Sequence, residues 1–169
     1  MFKILNRIIK VGDKVFVSLA IVLMIVLVLT ITVGIAARYF FRMPFDWTEE
    51  VAILLFIWIS FLAAAVAAAR NKFVVVDYFL NKIPPSTQTI IGIITDSLTL
   101  IFLIMVIIGA VILLPQMLTH ASVALDIPRT VYYVPVLISS ALIFVVQLKS
   151  LLQRFDSLKR KSGKQEVSP

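Results

Sequence analysis

The sequence has no cysteine and a single histidine, His120, among its 169 residues. Without cysteine there is no disulfide framework, no thiolate nucleophile and no Cys/His zinc site. One histidine also excludes a haem held by two histidines of this chain. Charge is scarce as well: 15% of residues are charged while 61% are hydrophobic, and the mean hydropathy is +1.06. A water-soluble domain of this length needs a polar skin, and too few polar residues are present to make one. Acidic residues number 9 against 16 basic, a formal net charge of +7. In so apolar a chain this excess reads as basic flanks of membrane spans and not as a nucleic-acid surface.

What is present is four long uncharged runs, at 15–37, 51–69, 97–125 and 130–148. At 1.5 Å per residue, about 20 apolar residues cross a hydrocarbon core of about 30 Å. The third run extends back to Ile90, because Ile90-Ile91-Gly92-Ile93-Ile94 follows the Pro84-Pro85 pair. The spans are therefore expected near 15–37, 51–69, 90–114 and 130–148. Barrel strands alternate polar with apolar, and these runs are apolar all round, so the fold class is an all-α membrane protein of four transmembrane helices. The first run is too long for the core of a cleaved signal peptide and is expected to stay as a span.

The ends carry their own pattern. Lys3, Arg7, Lys10 and Lys14 share one helical face and Phe2, Leu5, Ile8 and Ile9 another, so residues 1–14 are expected to form a basic amphipathic helix at the cytoplasmic interface. Leu148, Leu151, Leu152, Phe155 and Leu158 keep helical spacing, which predicts a C-terminal extension of the last helix. The transmembrane domain is then 15–158, and 159–169 is a polar cytoplasmic tail. Between spans two and three, the segment 73–83 is apolar for a loop and suits the interface or a partner. With four spans, 13 of the 16 basic residues share one side, and only Arg38, Arg42 and Arg129 lie on the other. The positive-inside rule puts both termini in the cytoplasm.

Chemistry-bearing residues are few. The spans hold one ionisable group, Asp96, about two turns from the start of span three. It is too shallow for a transport or proton-relay site, which needs such groups near the midplane. A structural carboxylate paired with a cation at its level fits better, and Arg70 at the end of span two is the expected partner. The stretch 38–50 is the densest in polar groups. Asp46 followed by Glu49 resembles a capping box, and the acids Glu49 and Glu50 suit the first turn of a helix. Only one of them can serve the cap. The other is expected to form a salt bridge to Arg38 or Arg42 or to contact a partner protein, and Trp47 suits an aromatic belt. No nucleophile, base or metal ligand accompanies the acids, so neither a catalytic, a cofactor nor a metal site is expected and the chain is not read as an enzyme. His120 reads as an ordinary loop residue. Ser60, Ala64 and Ala68 recur every four residues along span two, a ridge that lets another helix approach closely, from this chain or a partner.

Three stretches together resemble a known family. They are Arg38-Tyr39, Phe41, Pro44, Trp47, Glu49-Glu50; then Trp58, the alanine-rich run 63–69, Arg70 and Val76-Asp77; then Ser122, Ala124-Leu125, Ile127-Pro128, Tyr132 and Pro135. In this order on a four-span chain, they resemble the small (DctQ-like, Q) membrane subunit of tripartite ATP-independent periplasmic (TRAP) transporters, over about residues 10–152. One departure is that Phe73 stands where the family often has histidine.

The resemblance implies a multi-pass protein of a bacterial inner membrane with two partners, a large elevator-type membrane subunit (M) and a periplasmic substrate-binding protein (P). It implies sodium coupling in the large subunit, an organic acid such as a C4-dicarboxylate or sialic acid as cargo, and a scaffold role for this chain. The alternative is a self-contained four-helix transporter working as a homo-oligomer. Membrane lipids are the remaining partner.

Overall fold

The computed structural model describes residues 2–41, 45–70, 85–119, 121–122 and 124–165. Arg42, the apolar segment 73–83 and His120 lie outside the described residues. Four long helices account for nearly all of the rest. α1 runs Phe2–Ala36 and continues into a π-helical turn, Ala37–Phe41. α2 is Asp46–Ala69, α3 is Pro85–Met117 and α4 is Thr130–Gln165. All four are long and apolar enough to cross a membrane, over Leu5–Phe40, Asp46–Ala69, Ile90–Met117 and Thr130–Phe155.

The boundaries have local causes. α3 starts on Pro85, whose fixed φ suits the first helical position and whose missing N–H costs nothing there. Pro115 lies in its last turn, and the helix stops two residues later. There Leu118 N–H bonds Pro115 O at 3.3 Å, a tightened turn. Neither end helix breaks where the sequence pattern suggested a division. α1 runs through residue 14 without interruption, and α4 passes Leu158 to Gln165.

The helices form a broad layer. α1 packs along α2, α2 packs on α4, and α3 packs along the opposite side of α4. α1 also touches α4, whereas α3 contacts chiefly α4. The last helix is therefore the centre. Pro135, Ser139, Ser140, Leu142 and Val146 are its buried residues. α1 and α3 are nearly bare, exposing Ile21, Val22, Ile25, Val28 and Leu29 on α1 and Leu98, Phe102, Met105 and Ile108 on α3. In lipid such exposure carries no hydrophobic penalty, because acyl chains are as apolar as the side chains they touch. The layer has two ends, one where α1 begins and α4 finishes (the terminal face) and one where α1 gives way to α2 and α3 to α4 (the distal face).

Two glycines mark where backbones approach. A Cβ at Gly34 would lie 2.9 Å from Thr48 Oγ1, so its absence lets α1 meet the buried start of α2. A Cβ at Gly12 would lie 2.8 Å from a methyl of Leu142, where α1 crosses α4.

Candidate functional site

Charged groups collect at the two faces of the layer, and the structure uses them to fasten helix to helix. On the distal face, Arg38 in the π-helical turn donates from Nη2 to Glu49 Oε1 at 2.8 Å. This matches one of the two arginines expected for that acid. Both side chains are largely exposed, so the tie is weak. The capping box does not form. Phe45 occupies the N-cap with no side-chain cap, Asp46 is the first helical residue, and Phe45 O instead accepts from Thr48 N at 3.0 Å and Thr48 Oγ1 at 2.7 Å. The hydroxyl of Thr48, one residue before Glu49, reaches that carbonyl and leaves the carboxylates free for other work. Trp47 stacks on Phe45 with ring centroids 6.2 Å apart, at the membrane edge where amphipathic rings settle.

Glu50 does what the sequence did not reveal. Its Oε2 accepts from the backbone N–H of Ala124 at 2.8 Å and of Leu125 at 3.0 Å, and its Oε1 accepts from the Ser122 hydroxyl. One carboxylate from the first turn of α2 thus closes the α3–α4 connection. That connection is a narrow reversal: Ser122 N–H bonds Ile127 O at 2.9 Å, Ala121 pairs with Pro128, and Asp126 takes the left-handed conformation at φ 52°. Aspartate is among the few residues that tolerate this region. A carboxylate accepting from consecutive N–H groups behaves as it would at a helix N-terminus. The buried Tyr132 hydroxyl adjoins Ser122 and Glu50 without closing a hydrogen bond.

Between the faces, a polar contact joins α2 to α4. Pro135 cannot donate to Val131 O, four residues back, so that carbonyl is an orphan inside the span. The Trp58 indole N–H supplies the missing donor at 3.1 Å. Thr130 Oγ1 likewise donates to Leu114 O at 3.0 Å, at the frayed end of α3.

On the terminal face the expected Arg70–Asp96 pair is replaced by two others. Arg70 donates to both oxygens of Asp13, at 2.8 and 3.2 Å, and ties α1 to α2. The Asp13 carboxylate raises the Arg70 guanidinium above its ordinary pKa, first by this hydrogen bond and then by charge. Asp96, on α3, is bonded to α4 instead. Its Oδ2 accepts from Ser150 Oγ and Arg154 Nε, each at 2.9 Å, and its Oδ1 accepts from Gln147 Nε2 at 3.4 Å. Asp96 is 5% exposed. Arg154 reaches it across Gly92, one turn earlier on α3, where any side chain would occupy the guanidinium's place. The physical reason for the exchange is adjacency. α3 packs on α4 rather than α2, so Arg70 is on the wrong helix. Gln147, Ser150 and Arg154 form an i, i+3, i+7 stripe, a signal that was available in the sequence.

Of the small-residue ridge, Ala68 is buried while Ser60 and Ala64 face outward. The packed stripe of α2 runs Leu62, Ala65, Ala68, at intervals of three. Ser60 bonds its own helix at Phe56 O. Among the described residues no cluster of three metal-ligating side chains occurs.

The chain matches the family model "Tripartite ATP-independent periplasmic transporters, DctQ component" over residues 15–157. It is 29% identical over 140 residues to a TRAP transporter small permease protein of Haemophilus influenzae, covering 83% of this chain and 87% of that one. It is 30% identical over 112 residues to the sialic acid TRAP transporter small permease protein SiaQ of Vibrio cholerae, covering 66% and 60%. It is also 37% identical over 94 residues to the isethionate TRAP transporter permease protein DctMQ of Oleidesulfovibrio alaskensis, covering 54% of this chain but only 14% of that one.

Proposed function

Because the chain belongs to the DctQ component family of tripartite ATP-independent periplasmic transporters, we propose that it is the membrane scaffold of a sodium-driven, binding-protein-dependent carrier of an organic acid. The observation that carries this reading is the placement of charge. Among the described residues the ion pairs are Arg38–Glu49, Arg70–Asp13 and Arg154–Asp96, all at the ends of the helix layer. Moving an anion across hydrocarbon needs polar groups or broken-helix termini aimed at it near the midplane. The acid of span three, Asp96, is occupied by three donors from α4. A self-contained transporter working as a homo-oligomer would need that carboxylate open to load a proton or ion.

A scaffold needs a stiff layer with free apolar flanks, and the bare faces of α1 and α3 supply them. The long DctMQ relative supports a larger permease as the neighbour, since it carries a segment like this one within a chain about seven times the matched length. The partners are then a large M subunit, which holds the sodium coupling, and a periplasmic binding protein P. The names of two relatives carry isethionate and sialic acid, both organic acids. The 13-to-3 basic asymmetry supports an inner-membrane protein with both termini, and hence the terminal face, in the cytoplasm.

Reconstitution tests the proposal. Liposomes holding this chain alone should take up no isethionate, sialic acid or C4-dicarboxylate. Liposomes holding it with the large permease, given the binding protein, should take up one of them only under an inward sodium gradient. Uptake by the chain alone above empty liposomes would refute the scaffold role.

A further inference from the structure

A groove of 720 Å³ runs between α1 and α4 toward the terminal face. Its walls are apolar, with Val11 and Phe16 on α1 and Val145 on α4, and the small residues Gly12 and Ala141 leave the room between them. Arg7 is the one charged residue that lines it. The two helices run antiparallel, so the Gly12–Leu142 contact sets their relative level. Arg7 lies five residues below that contact on α1, about 7.5 Å, and Lys149 lies seven residues beyond it on α4, about 10.5 Å. Two cations thus stand at the level where the groove ends, and neither makes an ion pair among the described residues.

An apolar slot in a membrane span with unpaired cations at its headgroup end has the chemistry of one ligand. We infer that the groove holds an anionic phospholipid, one acyl chain along Val11, Phe16 and Val145 and the phosphate at Arg7. A guanidinium offers the phosphate paired donors, and the charges on Arg7 and Lys149 favour an anionic over a zwitterionic headgroup. The site wedges α1 against α4 where the two helices otherwise meet little, which gives lipid composition a hold on the rigidity of the layer. The inference does not depend on the transport role or on membrane orientation.

Native mass spectrometry of the full-length chain, released from detergent with added phosphatidylglycerol or phosphatidylcholine of the same acyl chains, tests it. One phosphatidylglycerol should stay bound more strongly than phosphatidylcholine. Arg7→Gln should weaken phosphatidylglycerol roughly fivefold, toward the phosphatidylcholine value. Ala141→Phe, which fills the groove from an exposed position, should lose both lipids while the helical circular dichroism is kept. Equal binding of the two lipids by the unaltered chain would overturn the proposal, as would full binding by Arg7→Gln. Binding untouched by Ala141→Phe would place the lipid on the basic surface instead of in the groove and overturn it too. So would a lipid lost whenever the large permease is co-purified, since a partner helix would then be the occupant.

Discussion

Adjacent residues of the same type hold different positions here. Glu49 sits in an exposed pair with Arg38, where water and salt screen the attraction. Glu50 satisfies two backbone donors and a hydroxyl that would otherwise be orphaned near the membrane. Glu49→Gln should therefore shift stability by less than about 1 kcal/mol. Glu50→Gln should cost about 1–3 kcal/mol, since one amide oxygen replaces two acceptors. Thermal unfolding in detergent measures both, and a cysteine placed at Ala124 should react faster with a water-soluble maleimide in the Glu50→Gln background. Equal behaviour of the two variants would sink this assignment. Asp96 gives a second contrast. Asp96→Ala removes the acceptor for three donors from α4 and should lower stability by about 1–3 kcal/mol, below the range for a fully buried pair because Arg154 is 36% exposed. Gly92→Ala should reproduce much of that loss, since the added methyl occupies the space of the guanidinium. Adding Arg154→Gln to Gly92→Ala should then cost little more, a non-additivity that a double-mutant cycle reads directly.

At the scale of elements, α4 is central because it carries the irregularities that let other helices bind it. Pro135 frees a carbonyl, and Trp58 of α2 takes it. Ser139 and Ser140 are small enough to be buried against neighbours. Trp58→Phe should cost about 1–2 kcal/mol by leaving Val131 O unpaired in the span. In a Pro135→Ala background the restored N–H can serve that carbonyl, and the cost of Trp58→Phe should fall. An unchanged cost in both backgrounds would mean that Trp58 acts through packing alone. α1 is held to α2 by Asp13–Arg70 at one end and Arg38–Glu49 at the other, with Gly34 giving the close approach to Thr48. Gly34→Val should separate the distal ends of these helices. Spin labels at Ile35 and Ala52 would report a longer distance, and an unchanged distance would show that Thr48 yields instead.

The whole molecule is a layer whose ion pairs, among the described residues, lie at its two faces and whose flanks are apolar. Such an object is stiffened at its edges and leaves its broad surfaces for lipid or protein. The proposed orientation makes a simple prediction. Single cysteines at Phe45 and Ala121 should label with an impermeant reagent applied from the periplasmic side, and one at Gln153 should not. Labelling of Gln153 alone would invert the topology and move the terminal face to the periplasm.

Much of this was legible in the sequence for a reason of solvent. In a membrane every backbone polar group must be satisfied within its own segment, so a 20-residue apolar run can be little other than a helix, and four such runs fix the number and type of the elements. The Arg38–Glu49 tie was legible too, because the two residues flank one short connection. What only the tertiary structure decided was which helix adjoins which. Runs that are apolar on every side carry no stripe that names a partner, since lipid and protein are equivalent neighbours for them. That is why Asp96 was matched to Arg70 on the basis of depth, when it meets Arg154 on the helix α3 packs against. It is also why Glu50 gave no hint of its role: its two backbone donors lie 74 and 75 residues away, in N–H groups that every residue but proline possesses, and the third is the hydroxyl of Ser122. Composition and hydropathy set the elements, whereas long-range hydrogen bonds to generic backbone and shape fit at Gly12, Gly34 and Gly92 set their order.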